Sequence, residues 1–474
     1  MISRRPLLFG AAAAGLTATM AKAQTASGFE GEWNGDLHTP GGTLRLHLVI
    51  GAGPVATMFS VDQGNARIPA AEVHIDGAVI SMTFPAVNAS YTGSLANGRI
   101  SGQFTQGARL PLDFTPGPLP TGAAPPAPPP LPLEHLTQDV LRGLRVQSGA
   151  PALAAAARST NHKSVSLADG LRSAAGSTQV TPNDQWHLGS MTKSMTATLV
   201  ARMVDAGHVS WDDTVGAVLG SAIPDMRAEY RDVNFRHLLS HRAGLQGNIP
   251  MDQLGRFQRE NPDPRQERIA WSRIALKMAP VGPKETTFTY ANNGFIIAGT
   301  MLEVKLGKKW EDLITEQVFA PLGMNSAGFG APGTPGRLDQ PVGHAQGASG
   351  PHTPYPPGGA ISDNPAALGP AGRVHASLDD VLKFCEAHRD RTALLKPETW
   401  DTLHTPPFGG DYAMGWVKVE NRFWHNGSNT LFYSEMTFDP QTGVVCAAAC
   451  NDGNVDAVQT SVRTAMRDAG FTVI

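Results

Sequence analysis

The chain is 474 residues long, 41% hydrophobic and 17% charged, with 38 basic against 41 acidic residues and a net charge of −3 at neutral pH. That length accommodates two or three domains with full cores. The composition points away from a disordered chain, a membrane protein or a polycation that grips nucleic acid.

Residues 1–23 read as a signal peptide. Arg4 and Arg5 precede an apolar run from Leu7 to Met20, and Ala21-Lys22-Ala23 offers a small-residue cleavage site before Gln24. The run is too short and too rich in alanine to serve as a stable membrane anchor. The arginine pair in Ser3-Arg4-Arg5-Pro6-Leu7-Leu8 is similar to a twin-arginine signal, which implies export in the folded state to the periplasm or the medium. The general secretory route is the alternative. Cleavage removes three cations and no acid, leaving 35 basic against 41 acidic residues, and nucleic acid is not an expected partner.

Residues 28–116 read as a small all-β domain. Leu44, Leu46, Leu48 and Ile50 alternate with Arg45 and His47, and Ile80, Met82 and Phe84 alternate with Ser81 and Thr83. Asn97-Gly98 signals a type I′ hairpin before a strand carrying Ile100 and Phe104. Short strands punctuated by glycine suggest a barrel or a sandwich, with a docking or stabilising role. Residues 117–133 then form a proline-rich linker, which includes Pro125-Pro126-Ala127-Pro128-Pro129-Pro130. Proline at this density makes a semi-rigid spacer.

Residues 134–474 form the main domain. Strand candidates at 153–158 and 164–167 precede Ser190-Met191-Thr192-Lys193, the one S-x-x-K of the chain. Met195, Leu199, Val200 and Met203 recur at helical steps until Gly207, so Ser190 and Lys193 lie one turn apart on one helix face. Serine needs an adjacent base to take its proton, and a desolvated lysine is such a base. His237 and His241 share the i, i+4 spacing of helical zinc pairs. They lack H-E-x-x-H and a nearby carboxylate, so a structural helix and no metal are expected. Tyr290-Ala291-Asn292 follows, and then a strand-like His425-Asn426-Gly427-Ser428. Strands at 412–420, 423–428, 432–438 and 444–450 and an amphipathic helix at 455–469 close the domain. Three cysteines, Cys385, Cys446 and Cys450, make no disulfide framework; Cys446 and Cys450 stand about 13 Å apart along one strand and read as buried small hydrophobes. Strands first and last with helices between predict an α+β fold, an antiparallel sheet flanked by helices with a mostly helical insertion.

The ordered set S-x-x-K, Y-x-N and [KH]-x-G resembles the penicillin-recognising serine hydrolases: class C β-lactamases, DD-carboxypeptidases, D-aminopeptidases and esterases. Neighbouring segments agree from about Glu134 onward, among them His237-Leu238-Leu239-Ser240-His241 with Ala243-Gly244-Leu245, Gly369-Pro370-Ala371-Gly372 and Gly415-Trp416. The resemblance implies catalytic Ser190, Lys193 and Tyr290, the phenol acting as a phenolate base, a proton shuttle or both. It implies that Asn292 bonds Lys193 and substrate, and that the N–H groups of Ser190 and Ser428 form an oxyanion hole. Gly427 is expected to let the substrate backbone approach the strand. His425 stands where β-lactamases place lysine, which favours small amides, esters or D-amino-acid peptides over β-lactams. Its protonation is expected to tighten binding of substrate carboxylates as pH falls toward 6. No cofactor is implied. The rival readings are a class C β-lactamase and a non-catalytic penicillin-binding sensor or scaffold.

Overall fold

A computed structural model describes residues 28–118 and 136–469 apart from short breaks at 40–41, 52, 54, 62–65, 88, 107, 162, 347–350 and 360. The expected signal peptide and nearly all of the expected proline-rich linker lie outside the described residues. The chain divides into two compact units, Met1–Ala124 with Ile474, and Pro125–Val473.

The first unit carries one nine-stranded antiparallel sheet built from two meanders. One runs backward from Gly31–Thr39 to Ala66–Pro69, the other from Glu72–Asp76 to Ala108–Pro116, and the first strand pairs with the last. The two edge strands are joined through Ala70 and Ala71 alone, whose N–H groups bond Ala56 and Thr83 on either side. A two-residue link reaches only about 10 Å, so the sheet curls until its edges meet. This geometry favours a barrel over a sandwich. Leu46, Leu48, Ile50, Ile80, Met82, Phe84, Ile100 and Phe104 all point into one buried core with Trp33 and Phe114. Asn97 (φ 51°) and Gly98 (φ 72°) make the two-residue hairpin, both in the left-handed region that a type I′ turn requires.

In the second unit a seven-stranded antiparallel sheet has the spatial order 164–170, 152–159, 444–450, 433–439, 422–428, 416–419 and 412–413. Ala154 pairs with Ala449 and Glu435 with Ala448, so the early hairpin closes onto the late strands and the early and late parts of this unit share one sheet. Small side chains on Ala154–Ala157 and Ala447–Ala449 keep this seam tight. Helices Gln138–Ser148 and Val455–Asp468 cover one face, and Leu378–Asp390 packs on strands of the same sheet. The helix-rich middle, residues 192–403, supplies most of the larger core. Cys385, Cys446 and Cys450 are buried free thiols.

Two elements depart from the sequence reading. The strand expected over 412–420 is broken, because Gly415 turns at φ 80° where a β-carbon would lie 3.0 Å from Lys193 O and Ala197 Cβ. The sheet yields there to the helix that carries Ser190. The expected helix through His237 and His241 ends at Leu239, and His241 lies beyond it at φ 60°.

Arg268 knots the helical region beneath the site. It is fully buried on helix Arg265–Lys277, pairs with Glu303 and Glu311, and donates to Ala366 O (3.1 Å) and Ala367 O (3.3 Å). Removing one partner of a buried ion cluster leaves uncompensated charge. Arg268→Met is expected to lower unfolding free energy by about 3–5 kcal/mol, read from urea denaturation.

Candidate active site

Ser190 lies on a short 3-10 turn, Gly189–Met191, that runs directly into helix Thr192–Asp205. The helix buries Met195, Leu199, Val200 and Met203, so its register is set by the core and Lys193 is carried inward with no exposed surface. Lys193 Nζ lies 2.9 Å from Ser190 Oγ, 2.6 Å from Asn292 Oδ1 and 2.7 Å from Ala371 O. Burial pushes this amine well below the usual lysine range. A neutral amine has two N–H donors and one lone pair. The two carbonyl oxygens take the donors, which leaves the lone pair for the Ser190 hydroxyl proton.

Ala371 belongs to Gly369–Gly372, a single helical turn whose preceding carbonyl, Pro370 O, accepts from Thr196 Oγ1 (2.7 Å). The Ser190 helix is thus pinned to this turn at two successive carbonyls. Asn292 opens helix Asn292–Leu306, and its amide nitrogen donates to Asn248 Oδ1 (2.8 Å).

Tyr290 precedes that helix, and its phenol lies near enough to Ser190 for the serine side chain to favour its ionised form slightly. Its ring centroid stands 4.8 Å from Lys193 Nζ. The residue is 42% exposed, and the protein packed around the phenol still pushes it upward by desolvation. An amine pushed down in pKa offers little charge to pull the phenol back. The geometry therefore favours a neutral phenol and a shuttle over a standing phenolate.

His425, on strand Arg422–Ser428, is buried and bonded on both nitrogens. Nδ1 lies 2.6 Å from Asn426 O, and Nε2 lies 2.9 Å from the Tyr412 hydroxyl. Burial first, then Lys193, pushes it down to about 3. The expected protonation near pH 6 is therefore corrected: the imidazole stays neutral there and offers no cation to a substrate carboxylate.

Gly427 also makes a close approach within the chain itself. A β-carbon on it would meet Leu188 O at 2.0 Å and Ser190 N at 2.4 Å, and one on Gly189 would meet Ser428 N at 2.4 Å. The close approach is between strand and serine turn, and it is what brings the Ser190 and Ser428 amides side by side. Ser428 Oγ accepts from Thr430 N–H (3.0 Å).

The two histidines of the zinc spacing are separately engaged. His237 Nδ1 accepts from Asn234 N–H (3.1 Å) and its Nε2 meets Glu285 (3.1 Å). His241 Nδ1 accepts from Ala291 N–H (3.0 Å). Sequence reasoning gave no role to Ala371, Tyr412, Asn248 or His241. Gly-Pro-Ala-Gly marked a tight turn at Ala371 without naming its partner, the His237 and His241 spacing pointed to a helix instead, and Tyr412 and Asn248 had no local signal.

Residues 137–471 match the family model described as Beta-lactamase. The chain is 28% identical over 310 residues to Penicillin-binding protein 4 of Amycolatopsis lactamdurans, covering 60% of this chain and 77% of that one. It is 25% identical over 300 residues to an Unguisins hydrolase of Aspergillus campestris, covering 58% of this chain and about half (54%) of that protein. Among solved structures, the D-amino acid amidase of Ochrobactrum anthropi SV3 shares the fold at a TM-score of 0.55 and 20% identity, over 70% of this chain and 96% of that one.

Two outcomes follow from the geometry. KM for a carboxylate-bearing peptide should change less than about twofold between pH 7.5 and 6, since His425 does not titrate there; a steady fall in KM would show a protonating histidine. Gly427→Ala must separate the strand from the serine turn, costing about 1–3 kcal/mol in thermal denaturation and lowering kcat far more than KM.

Proposed function

The chain belongs to the beta-lactamase family, and from that premise we propose that it is an exported serine hydrolase that cleaves amide or ester bonds through an acyl-enzyme at Ser190. The observation that carries the reading is a buried, desolvated Lys193 whose Nζ lies 2.9 Å from Ser190 Oγ and 4.8 Å from the ring centre of Tyr290. Ser190 Oγ attacks the carbonyl carbon as its proton passes to Lys193. The oxyanion is received by the N–H groups of Ser190 and Ser428. Lys193 and Tyr290 hand the proton to the departing nitrogen or oxygen, and the acyl group stays on Ser190. Water then attacks the ester, gives its proton to the same relay, and Ser190 is restored. Lysine and tyrosine titrate as a coupled pair, so the relay is assigned to both.

His425 directs the choice of substrate. Its neutral imidazole supports small esters, amides and D-amino-acid peptides over substrates that need a fixed cation, and so weighs against a class C β-lactamase. The intact serine, lysine and tyrosine set weighs against a non-catalytic sensor. The apolar segment at 7–20 and the Ala21-Lys22-Ala23 site support export.

Intact-protein mass spectrometry after brief exposure to a p-nitrophenyl ester, a penicillin and a cephalosporin tests the reading. A mass increase localised to Ser190 and absent from Ser190→Ala is expected with the ester. Lys193→Ala and Tyr290→Phe should each lower turnover on the order of 10²–10⁴-fold. Rapid cephalosporin turnover would favour the β-lactamase instead. We further propose that the proline-rich linker separates two functional domains. A chain beginning near Leu131 should keep most of its kcat/KM toward a small ester, and its loss in a protein still folded by circular dichroism would show that the β-domain shapes the site.

A further inference from the structure

The residue with the least explained geometry near the site is His241. It is 2% exposed and holds φ at +60°, a conformation that costs a non-glycine residue about 1–3 kcal/mol unless its surroundings impose it. Its strained backbone lets one residue reach the same segment twice. The main-chain carbonyl accepts from Thr289 N–H (3.0 Å), and side-chain Nδ1 accepts from Ala291 N–H (3.0 Å). Thr289 and Ala291 are the two neighbours of Tyr290. The imidazole also packs on the phenol itself, with ring centroids 4.3 Å apart, and on Tyr412 at 4.6 Å.

We propose that His241 is the positioning residue for Tyr290, clamping the peptides on both sides of the phenol so that the ring stays beside Lys193 and Ser190. The inference rests on the proton-relay role given to Tyr290 above. His241 touches the tyrosine and its backbone, so it acts through Tyr290 and is not itself catalytic. Accepting at Nδ1 requires the ring proton on Nε2, which fixes the tautomer. Burial, with Lys193 and His425 nearby, disfavours a second proton and keeps Nδ1 an acceptor. Nε2 is buried and has no hydrogen-bond partner among the described residues. A strained residue that also leaves a polar atom unsatisfied is retained against two separate costs, which fits a site requirement rather than a packing one. The loop after it continues the clamp. Gln246 O accepts from Asn293 Nδ2 (2.8 Å), Gly247 O from Asn293 N–H (3.3 Å) and Asn248 Oδ1 from Asn292 Nδ2 (2.8 Å).

The test is a double-mutant cycle with Tyr290→Phe on the full chain, using acylation by a p-nitrophenyl ester as readout. His241→Asn keeps an acceptor oxygen near the place of Nδ1 and tolerates the left-handed backbone. His241→Phe keeps a ring and removes the acceptor. H241F should lower kcat on the order of 10²-fold with KM within about threefold, and H241N should restore kcat to within about tenfold of the parent. Added to Tyr290→Phe, H241F should cost nothing further. The inference is overturned if H241N, folded by its melting temperature, is as impaired as Tyr290→Phe. It is equally overturned if the H241F loss adds in full to that of Tyr290→Phe. If Tyr290→Phe leaves acylation intact, the relay role of Tyr290 fails first and the clamp loses its purpose. If Tyr290→Phe is crippled and both His241 variants are not, the clamp alone is wrong.

Discussion

Lys193 carries an amine to a place where none of its surface meets water, and holding it there is the constraint from which the rest of the site follows. Desolvation penalises the ammonium form, so the group favours the neutral amine that the proposed base requires. The unfolded chain binds that proton up to the ordinary lysine pKa, so the residue contributes stability that rises with pH between its lowered folded value and about 10.4. Below that window the fold must hold a site that works against it. The partners that make this tolerable come from far apart: Asn292 from one helix, Ala371 from a turn, Ser190 from its own helix start.

The surrounding titratable groups share the same logic. Burial lowers His241 and His425 and raises Tyr290 and Tyr412, so all four favour their neutral forms. In the proposed reaction, a pocket of neutral donors and acceptors has little charge to offset an oxyanion, which is where paired backbone amides would matter most. Those amides approach because Gly189 and Gly427 bring no side chain to the contact. Gly415 does the same for the helix on its other side. Strand, serine turn and helix are thereby fitted to one another at backbone distance, and small displacements of any of them reach Ser190.

Much of this was legible in sequence where the signal is local. S-x-x-K is a one-turn spacing, Asn97-Gly98 is a turn requirement, and the late strands 423–428, 432–438 and 444–450 carry apolar content dense enough to read. What escaped involves distant partners. Nothing near residue 193 announces the carbonyl of Ala371, and nothing near His241 announces the amide of Ala291. The i, i+4 spacing of His237 and His241 suggested a helix that the chain leaves at Leu239. His425 was read as a titrating residue because its ordinary pKa lies near neutrality, whereas burial beside Lys193 decides its charge. Gly427 was assigned to the substrate because a strand glycine signals close approach without saying to what.

The central claim is the state of one amine. Carbon-13 NMR of protein labelled at lysine Cε, with the Lys193 resonance identified by its loss in Lys193→Ala, follows that state directly through a pH titration. The account predicts a resonance that remains that of a neutral amine from high pH down through neutrality, while the surface lysines titrate near their usual value of about 10.4. A Lys193 signal that titrates together with them would mean a standing ammonium beside Ser190, and the proposed base would have to be sought elsewhere.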